Sequence, residues 1–376
     1  MKFLHLSDLH LGKRLNGVSL LEDQRYILQQ ILSLTDRADA VLIAGDVYDK
    51  PVPPAEAVTL FDCFLTALAQ KGKPVLLIAG NHDSAQRLAF GSSILAEGGV
   101  HVSPVFSGKP EPVVLRDEWG EVAVYLLPFL KAPYVRPFFP EETLEDTDSA
   151  IACVLGQLEL DEKRRNVLLA HQFISGATQC ESEEVSIGGL DQVNVKHLER
   201  FDYVALGHLH TPQKLGRDSV RYCGSPLKYS FSEVKQQKSA LLVALEEKGK
   251  VSVEELPLAP LRDLKALRGS YDELTDRRNY QTQNLENYYY ITLTDEEDIP
   301  QAMARLQTIY PNLLALNYDN RRTRGQLDAP LRREQEETDP MTLLDQFYEK
   351  RNGQPMTDRQ RQLARRLMEE IWEEDS

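Results

Sequence analysis

The chain has 376 residues, of which 42% are hydrophobic, so it is long enough for one large core with smaller units attached. Its formal net charge of −15 excludes a stand-alone protein that holds nucleic acid through a broadly basic surface, because such affinity depends on lysine and arginine neutralising phosphates. Contact with nucleic acid would require a local basic strip, a metal centre or a partner subunit.

The spacing of the cysteines and the length of the apolar runs indicate the cellular compartment of the protein. The four cysteines are widely spaced and form no C-x-x-C pair, which favours reduced thiols over disulfides or a zinc ribbon. The apolar residues 3–6 meet Asp8 and His10 too early for a signal-peptide core, and they indicate a buried first strand. No apolar run approaches the ~20 residues that span a bilayer. We therefore expect a soluble, cytoplasmic protein with no membrane partner.

The first 245 residues alternate short apolar strands with amphipathic stretches. Helices are predicted near residues 20–35 and 55–70. Strands are predicted at residues 3–6, 40–44, 75–79, 122–127, 167–170, 203–206 and 239–245. This alternation predicts an α/β core, in which ligands lie just beyond the carboxyl ends of the strands.

The character of the sequence changes after Leu245. Residues 246–260 are charged and contain two prolines, so we expect a connector there. A small separate βαβ-like domain is predicted next, from a strand at residues 288–294, a helix at 300–309 and a strand at 313–318. Residues 321–337 are highly charged and predict a solvated linker.

Two short amphipathic helices are predicted to close the chain. Asp339 and Pro340 form a cap-then-proline start for the first, and Thr357 and Gln360 resemble a capping box for the second. The predicted apolar faces are Met341, Leu344, Phe347 and Tyr348 on the first helix, and Leu363, Ala364, Leu367, Met368, Ile371 and Trp372 on the second.

Five turns that follow predicted strands carry side chains able to bind a cation. They are, in chain order, D-L-H at residues 8–10, G-D at 45–46, G-N-H-D at 80–83, a histidine at 171, and G-H-L-H at 207–210. Residues two apart on extended backbone point to the same side, so Asp8 and His10 can chelate one cation. The two oxygens of Asp46 can bridge two ions. Any one of these motifs alone is more often a turn or structural feature. The ordered set of oxygen and imidazole ligands indicates a site for Mn²⁺ or a similar ion.

This ordered set resembles the calcineurin-like metallophosphoesterase superfamily over residues 1–245. The resemblance implies an α/β fold whose core is a β-sandwich flanked by helices, with two divalent ions at the strand ends. It assigns Asp8, His10 and His210 to one ion, Asn81, His171 and His208 to the other, and Asp46 to a bridging position. His82 would not bind metal but would face the scissile phosphate, as proton donor or electrostatic stabiliser.

Nearby polar residues have more than one interpretation. Asp83 is expected to be the N-cap of a helix that starts near Ser84, and the alternative is that it orients His82. Asp49 is either an outer partner of the metal ligands or a turn residue. The remaining histidines, His5, His101 and His197, match no motif and are expected to be structural or exposed.

Further stretches resemble the bacterial SbcD family. They are residues 3–12, 46–49, 188–191 and 222–227, followed by Ser230 and Phe231. The resemblance implies a manganese-dependent nuclease that acts on DNA ends and hairpins, as a 3′–5′ exonuclease on duplex DNA and an endonuclease on single strands and hairpins. Such an enzyme would serve DNA repair, recombination and replication.

The same resemblance implies a domain order and partners. Residues 1–255 would form the nuclease domain, residues 256–335 a small α/β capping domain that contacts DNA, and residues 336–376 a helical tail. The tail would bind the coiled coil of SbcC, an ABC-type ATPase. The chain would also form a homodimer within a heterotetramer, pairing through helices near residues 55–70 and 84–97.

Three alternatives remain open at this point. The chain could be a small-molecule phosphodiesterase or nucleotidase that uses the extra domain as a lid. It could be a non-catalytic scaffold, although a scaffold has no need for the whole ligand set and His82. The helical tail could also pack on the core of its own chain instead of a partner.

Overall fold

The computed structural model describes residues 1–180, 192–321, 323, 340–352 and 355–374. The chain divides into two units, one formed by residues 1–184 and 191–324, the other by residues 185–190 and 325–376. The predicted linker lies almost wholly outside the described residues, and so does the 188–191 stretch. The predicted domain boundaries after residues 255 and 335 stay a prediction.

The first unit contains the strands and most of the helices. Its strands are β1 (Lys2–Leu6), β2 (Arg14–Leu15), β3 (Val18–Ser19), β4 (Ala40–Ala44), β5 (Val75–Ile78), β6 (Val100–Val102), β7 (Pro112–Asp117), β8 (Gly120–Leu127), β9 (Arg165–His171), β10 (Phe173–Ile174), β11 (Gln192–Val193), β12 (Tyr203–Gly207), β13 (Gln213–Leu215), β14 (Arg217–Tyr222), β15 (Ser239–Leu245), β16 (Val251–Pro257), β17 (Leu264–Gly269), β18 (Tyr288–Leu293) and β19 (Leu313–Tyr318). Its helices are α1 (Leu21–Leu34), α2 (Ala55–Gln70), α3 (Ala85–Leu88), α4 (Ser92–Glu97), α5 (Ala132–Val135), α6 (Thr147–Gly156), α7 (Tyr271–Thr275), α8 (Arg277–Tyr280) and α9 (Ala302–Gln307).

Two six-stranded sheets dominate this unit. The first has the order β16-β15-β1-β4-β5-β6 and the second the order β13-β14-β12-β9-β8-β7. In the first sheet β1, β4, β5 and β6 run parallel to one another, and in the second β8, β9, β12 and β14 do so. The predicted α/β core is therefore confirmed.

The inner strands of each sheet are buried on both faces. Phe3 and Leu42 lie in an apolar cluster between the two sheets, whereas Leu4 and Val41 pack with α1 and α2 on the outer face. Successive strand residues point to opposite faces, so strands covered on both sides read as continuous apolar runs. The second sheet packs in the same way against α6. The result is the predicted β-sandwich flanked by helices.

A three-stranded parallel sheet of β17, β18 and β19 forms the small α/β part of this unit. The predicted strand–helix–strand pattern is confirmed in β18, α9 and β19, and β17 adds a strand that the sequence did not predict. Its own apolar cluster includes Tyr289, Ile291, Leu306 and Tyr310. Arg262 and Tyr288 both donate to the buried Oδ2 of Asp23 in α1, at 2.9 and 2.8 Å. These bonds connect the small sheet to the main core.

The predicted connector at residues 246–260 is wrong for seven of its fifteen residues, 251–257, which form a strand. Strand β16 pairs antiparallel with β15 from Ser239 opposite Pro257 to Leu245 opposite Val251. It is an edge strand, and it exposes Glu254 and Glu255. An antiparallel edge strand with one solvated side tolerates charge and a terminal proline, so its composition resembles that of a loop.

The second unit contains the two predicted terminal helices, α10 (Pro340–Asn352) and α11 (Asp358–Glu374). The capping box is present, because Thr357 N donates to Gln360 Oε1 at 2.9 Å and Gln360 N donates to Thr357 Oγ1 at 3.4 Å. Arg361 of α11 pairs with Asp345 of α10 at 2.9 Å. The two helices therefore contact each other through polar side chains.

The apolar residues of these two helices differ in their exposure to solvent. Met341 is buried, whereas Phe347, Leu363 and Leu367 are exposed in this structure. The side chains of Ile371 and Trp372 lie outside what the structure describes. In the described part of the chain, every helix is too short or too polar to cross a membrane.

Candidate metal centre

The predicted ligand motifs meet where the carboxyl ends of parallel strands from both sheets come together. Asp8 follows β1, Asp46 follows β4 and Asn81 follows β5 in the first sheet. From the second sheet, His171 is the last residue of β9, and His208 follows β12 directly. The strand ends of the sandwich thus place five separate segments of the chain at one edge.

One group of ligand atoms is formed by Asp8, His10 and His210, and these atoms all lie within 4.8 Å of one another. The Nε2 atoms of His10 and His210 are 3.0 Å apart, so both rings direct that nitrogen to the same point. Oδ1 of Asp8 accepts from the His208 main-chain N–H at 3.0 Å. Oδ2 of Asp8 is buried and has no hydrogen-bond partner among the described residues. A cation at this point would satisfy that oxygen.

The second group consists of Asn81, His171 and His208. Asn81 Oδ1 lies 3.0 Å from His171 Nε2 and 3.0 Å from His208 Nδ1. The opposite nitrogen of His171, Nδ1, donates to the Ala44 carbonyl at 2.7 Å, which directs Nε2 inward. An amide oxygen and two imidazoles therefore converge as the sequence predicted.

Asp46 lies between the two groups. Its Oδ2 is 3.5 Å from His10 Nε2 and 3.4 Å from His171 Nε2, and its Oδ1 accepts from the His82 main-chain N–H at 2.9 Å. One carboxylate thus faces an imidazole of each group. This is the position that a bridging ligand requires.

His82 is half-buried, and a nitrogen of its ring lies within 4.8 Å of ligand atoms of His10 and Asp46, so the geometry alone also allows it to be a ligand. Its ring is perpendicular to that of His10, with centroids 4.8 Å apart, and its Nδ1 donates to the Asp49 carbonyl at 3.1 Å. In the neutral ring the proton is therefore on Nδ1, and Nε2 carries a proton only when the ring is an imidazolium. Nε2 is the nitrogen left for a contact with a bound molecule.

Burial shifts the ionisation of these groups. It lowers the pKa of His208 to about 3 and the pKa of His10 well below its ordinary value, so both rings are neutral, the form that binds metal. Burial also lowers the pKa of His171, but the charge of Asp46 outweighs it and raises that pKa to about 9. Burial raises the pKa of Asp8 to about 6. The cluster thus concentrates buried charge that only a cation or a proton can balance.

The main chain at this edge is unusual. Asp8, His10, Asp46 and His208 all have positive φ, at 52°, 43°, 50° and 100°. Non-glycine residues rarely adopt such φ values, and they persist where the surrounding structure imposes them, most often at functional sites. The strained positions coincide with predicted ligands.

Two glycines permit the close approach of the ligand loops. A β carbon on Gly80 would overlap Asp46 Oδ1, and a β carbon on Gly207 would overlap the Ala44 carbonyl oxygen. Gly207 ends β12 of the second sheet and Ala44 ends β4 of the first. The glycines of the G-N-H-D and G-H-L-H motifs therefore serve the packing of the loops rather than the ligand set itself.

The expectation that Asp83 caps a helix is wrong. Ser84 is the N-cap of α3 and accepts from Arg87 N. Asp83 instead accepts main-chain N–H groups from Val47, Tyr48 and Gly80 at 2.9–3.0 Å. It joins the loop that carries Asp46 to the loop that carries Asn81.

The contacts of Asp49 favour its interpretation as an outer partner of the candidate metal ligands. Its Oδ1 lies 2.7 Å from Lys13 Nζ and 3.7 Å from His10 Nδ1, so it borders a predicted ligand. The unassigned histidines lie elsewhere. His5 is buried 2.9 Å from the Tyr203 hydroxyl, His197 is paired with Asp148, and His101 is part of β6.

Several residues near the ligands were not predicted. Gln24 Nε2 and the Tyr229 hydroxyl donate to the carbonyls of His10 and Leu9, at 2.7 and 2.6 Å, and hold the first ligand loop. Glu233 is buried beside His210. Burial raises its pKa, but the hydrogen bond to His210 and the charge of Lys238 lower it to about 2. These residues lie apart from the ligand motifs in the sequence, so the sequence alone did not indicate the contacts.

The donor set fits divalent ions. It combines buried carboxylate oxygens, an amide oxygen and imidazole nitrogens, without thiolates, which suits Mn²⁺ and related ions. Asp8 Oδ2 is a buried oxygen without a hydrogen-bond partner among the described residues, and Asp8 groups with the imidazoles of His10 and His210. The residues present are therefore able to hold two cations on either side of Asp46.

Comparison with known proteins gives consistent similarities over the whole chain. Residues 1–212 match the family described as calcineurin-like phosphoesterase, and residues 260–352 match the family described as type 5 capsule protein repressor C-terminal domain. The chain is 32% identical over 377 residues to the SbcD subunit of nuclease SbcCD from Staphylococcus epidermidis, covering 98% of each chain. It is also 32% identical over 385 residues to the same nuclease component from Staphylococcus saprophyticus, covering 100% of each.

The overlap at Gly80 leads to a test of the centre. We expect Gly80→Ala to displace Asp46 and weaken Mn²⁺ binding about 10- to 100-fold, the range for changes that misplace metal ligands. Isothermal titration of chelator-stripped protein measures this loss. The matched control is Gly156→Ala at the end of α6, where an added β carbon meets nothing within 4 Å. Unchanged Mn²⁺ affinity in Gly80→Ala would contradict the prediction.

Proposed function

The chain belongs to the calcineurin-like phosphoesterases and, within them, to the family of SbcD nuclease subunits, and from this premise we propose that it is the manganese-dependent nuclease subunit of an SbcCD-type complex. It is a metal-dependent hydrolase of the nuclease type. We assign to it 3′–5′ exonuclease activity on duplex ends and endonuclease activity on single strands and hairpins, in DNA repair, recombination and replication. The observation that carries the proposal is the convergence of seven donor side chains beside His82, in a chain similar along its length to nuclease subunits.

In this proposal the chain holds two divalent ions. Their ligands would be Asp8, His10 and His210 for one, Asn81, His171 and His208 for the other, with Asp46 shared. Two such ions activate a water molecule and stabilise charge on the phosphate and the leaving oxygen. They also supply positive charge that a chain of net charge −15 needs in order to approach a DNA phosphate.

His82 is proposed as the residue that acts on the substrate without binding metal. Its main-chain N–H is bonded to Asp46 and its Nδ1–H to the Asp49 carbonyl, so the ring position depends on the bridging carboxylate. Nε2 then faces the substrate side, where an imidazolium donates a proton to the leaving oxygen or stabilises phosphate charge.

Substrate choice provides the direct test. With Mn²⁺, the protein should degrade linear duplex DNA and open DNA hairpins, while mononucleotides and cyclic nucleotides should be hydrolysed far more slowly. End-labelled oligonucleotides on a denaturing gel report the cleavage and its polarity. Hydrolysis of small nucleotides with intact polymeric DNA would favour a small-molecule phosphodiesterase instead.

The role of His82 leads to a second prediction. His82→Ala should lose about 10²- to 10⁴-fold in cleavage rate, the usual contribution of a positioned proton donor, and should still bind two Mn²⁺ ions by metal analysis. His101→Ala, a histidine of β6 away from the centre, is the control and should cleave like wild type. Loss of metal together with activity would make His82 a ligand and refute the assigned role.

We also propose that the terminal helices bind the coiled coil of an SbcC-type ATPase. Phe347 on α10 and Leu363 and Leu367 on α11 are exposed, and Leu363 and Leu367 are one helical turn apart. An exposed apolar face of this kind suits a helical partner. Residues 256–335 are proposed to contact DNA as the capping domain.

A substitution on α11 tests the partner. Leu363→Asp with Leu367→Asp should abolish co-purification with the coiled-coil ATPase and leave Mn²⁺-dependent cleavage by the isolated chain unchanged. Trp119→Asp, another exposed apolar residue, located in the turn between β7 and β8, is the control. Undiminished capture of the ATPase by the double variant would remove the tail from the interface and favour packing on its own chain.

A homodimer through the segment after the G-N-H-D motif is the last part of the proposal. Phe90, just before α4, and Ile94, within α4, are 85% and 77% exposed, which is unusual for large apolar side chains. Leu95 of α4 and Val58 of α2 are also exposed. These side chains suit a second copy of the chain.

Light scattering after size exclusion tests this pairing. The wild-type protein should have twice the chain mass of 42.7 kDa, and Phe90→Glu with Ile94→Glu should yield the single-chain mass. The control Trp119→Glu should stay dimeric. A wild-type protein of single-chain mass at micromolar concentration would contradict the dimer.

A further inference from the structure

The two halves of the metal centre differ in what lies behind their imidazoles. In the half formed by Asp8, His10 and His210, each ring faces a carboxylate with its outer nitrogen. His210 Nδ1 is 3.6 Å from Glu233 Oε1, and His10 Nδ1 is 3.7 Å from Asp49 Oδ1. Both rings direct Nε2 to the shared point, so the carboxylates lie on the side away from a bound ion.

Each of these carboxylates is held by a lysine. Lys238 Nζ lies 2.5 Å from Glu233 Oε2, and Lys13 Nζ lies 2.7 Å from Asp49 Oδ1. The Glu233–Lys238 pair is fully enclosed in the core, with both side chains buried. A buried carboxylate is tolerated when a cation of this kind neutralises it.

Lys238 also fixes the main chain of the ligand. It donates to the His210 carbonyl at 2.7 Å, to Ser225 Oγ at 3.0 Å and to Gln236 Oε1 at 2.8 Å. The same ammonium group thus contacts Glu233 and the backbone of the residue that Glu233 orients. Side chain and main chain of His210 are positioned together.

The other half has different surroundings. His171 donates its outer N–H to the neutral Ala44 carbonyl at 2.7 Å. His208 is flanked by the rings of Phe129 and Phe173, with centroid distances of 6.2 and 6.3 Å. These contacts place a neutral carbonyl and aromatic rings, rather than a carboxylate, beside the two imidazoles.

We propose that Glu233, held by Lys238, is a positioning residue for His210, and that this positioning makes the Asp8–His10–His210 half bind its divalent ion more tightly than the Asn81–His171–His208 half. The inference rests on the proposed two-ion centre and adds an order of filling to it. A carboxylate behind a metal-binding imidazole fixes the orientation of the ring, so Nε2 of His210 is held toward the position of the ion. The second half then fills only at higher metal concentration.

Titration of the full-length, chelator-stripped protein with Mn²⁺ tests the order, with free Mn²⁺ followed by electron paramagnetic resonance. The wild type should bind one ion tightly and a second more weakly. Glu233→Gln should weaken the tight step about 10- to 100-fold and leave the weak step unchanged. His208→Ala should remove the weak step and keep the tight one, which assigns each step to its half.

Two further variants separate positioning from folding. Glu233→Gln leaves Lys238 charged and without its carboxylate, which destabilises a buried site, so Glu233→Gln combined with Lys238→Met removes the unpaired charge. The double variant should regain stability against urea and retain the weakened tight step. Glu254→Gln, an exposed glutamate paired with Arg37, is the control and should titrate like wild type.

The outcomes are distinguishable. Two ions bound with equal affinity by the wild type, or equal weakening of both steps by Glu233→Gln, would overturn the inference and leave the two-ion nuclease intact. Return of full affinity in the double variant would reduce Glu233 to a structural role and overturn it as well. Failure of the wild type to bind two ions would remove the proposed function itself and the inference with it.

Discussion

The candidate metal centre depends on one buried carboxylate, that of Asp46, at the meeting point of two sheets. Asp46 follows a strand of the first sheet, and its oxygens face His10 and His82 of that sheet and His171 of the second. Buried carboxylates such as Asp46 and Asp8 are stable only with counter-charge. The ring of His171 provides part of it in the protein alone, because the charge of Asp46 outweighs burial and raises the pKa of that ring to about 9. Divalent ions would provide the rest. The loop strain and the proposed chemistry both depend on holding this group at that place.

Holding Asp46 and the other candidate ligands at this edge strains the main chain, and contacts elsewhere in the fold offset that strain. Four predicted ligands have positive φ, a conformation that costs about 1–3 kcal/mol per residue in strained cases and less for aspartate and histidine. Asp83 opposes this cost by accepting three main-chain N–H groups from the adjoining loops. Gln24 and Tyr229 hold the first ligand loop from the other side. The ligand set is therefore positioned before any ion binds.

The sequence predicted the core strands because parallel strands buried on both faces are continuous apolar runs, as β4 shows. It did not predict β16, since an edge strand that exposes Glu254 and Glu255 has the composition of a loop. The convergence of the candidate ligands could be predicted because the motifs directly follow strands. Asp83 was misassigned because a carboxylate before a helix has the same local pattern whether it caps that helix or bonds a distant loop. The pairing of Glu233 with Lys238 behind His210 required the folded chain.

The central claim concerns two ions on either side of Asp46. Crystals of the protein grown with Mn²⁺ and measured at the manganese absorption edge test it most directly, because anomalous scattering locates each ion without reference to activity. Two peaks about 3.5–4 Å apart, both in contact with the Asp46 carboxylate, are the predicted result. A single peak, or peaks away from this carboxylate, would contradict the account.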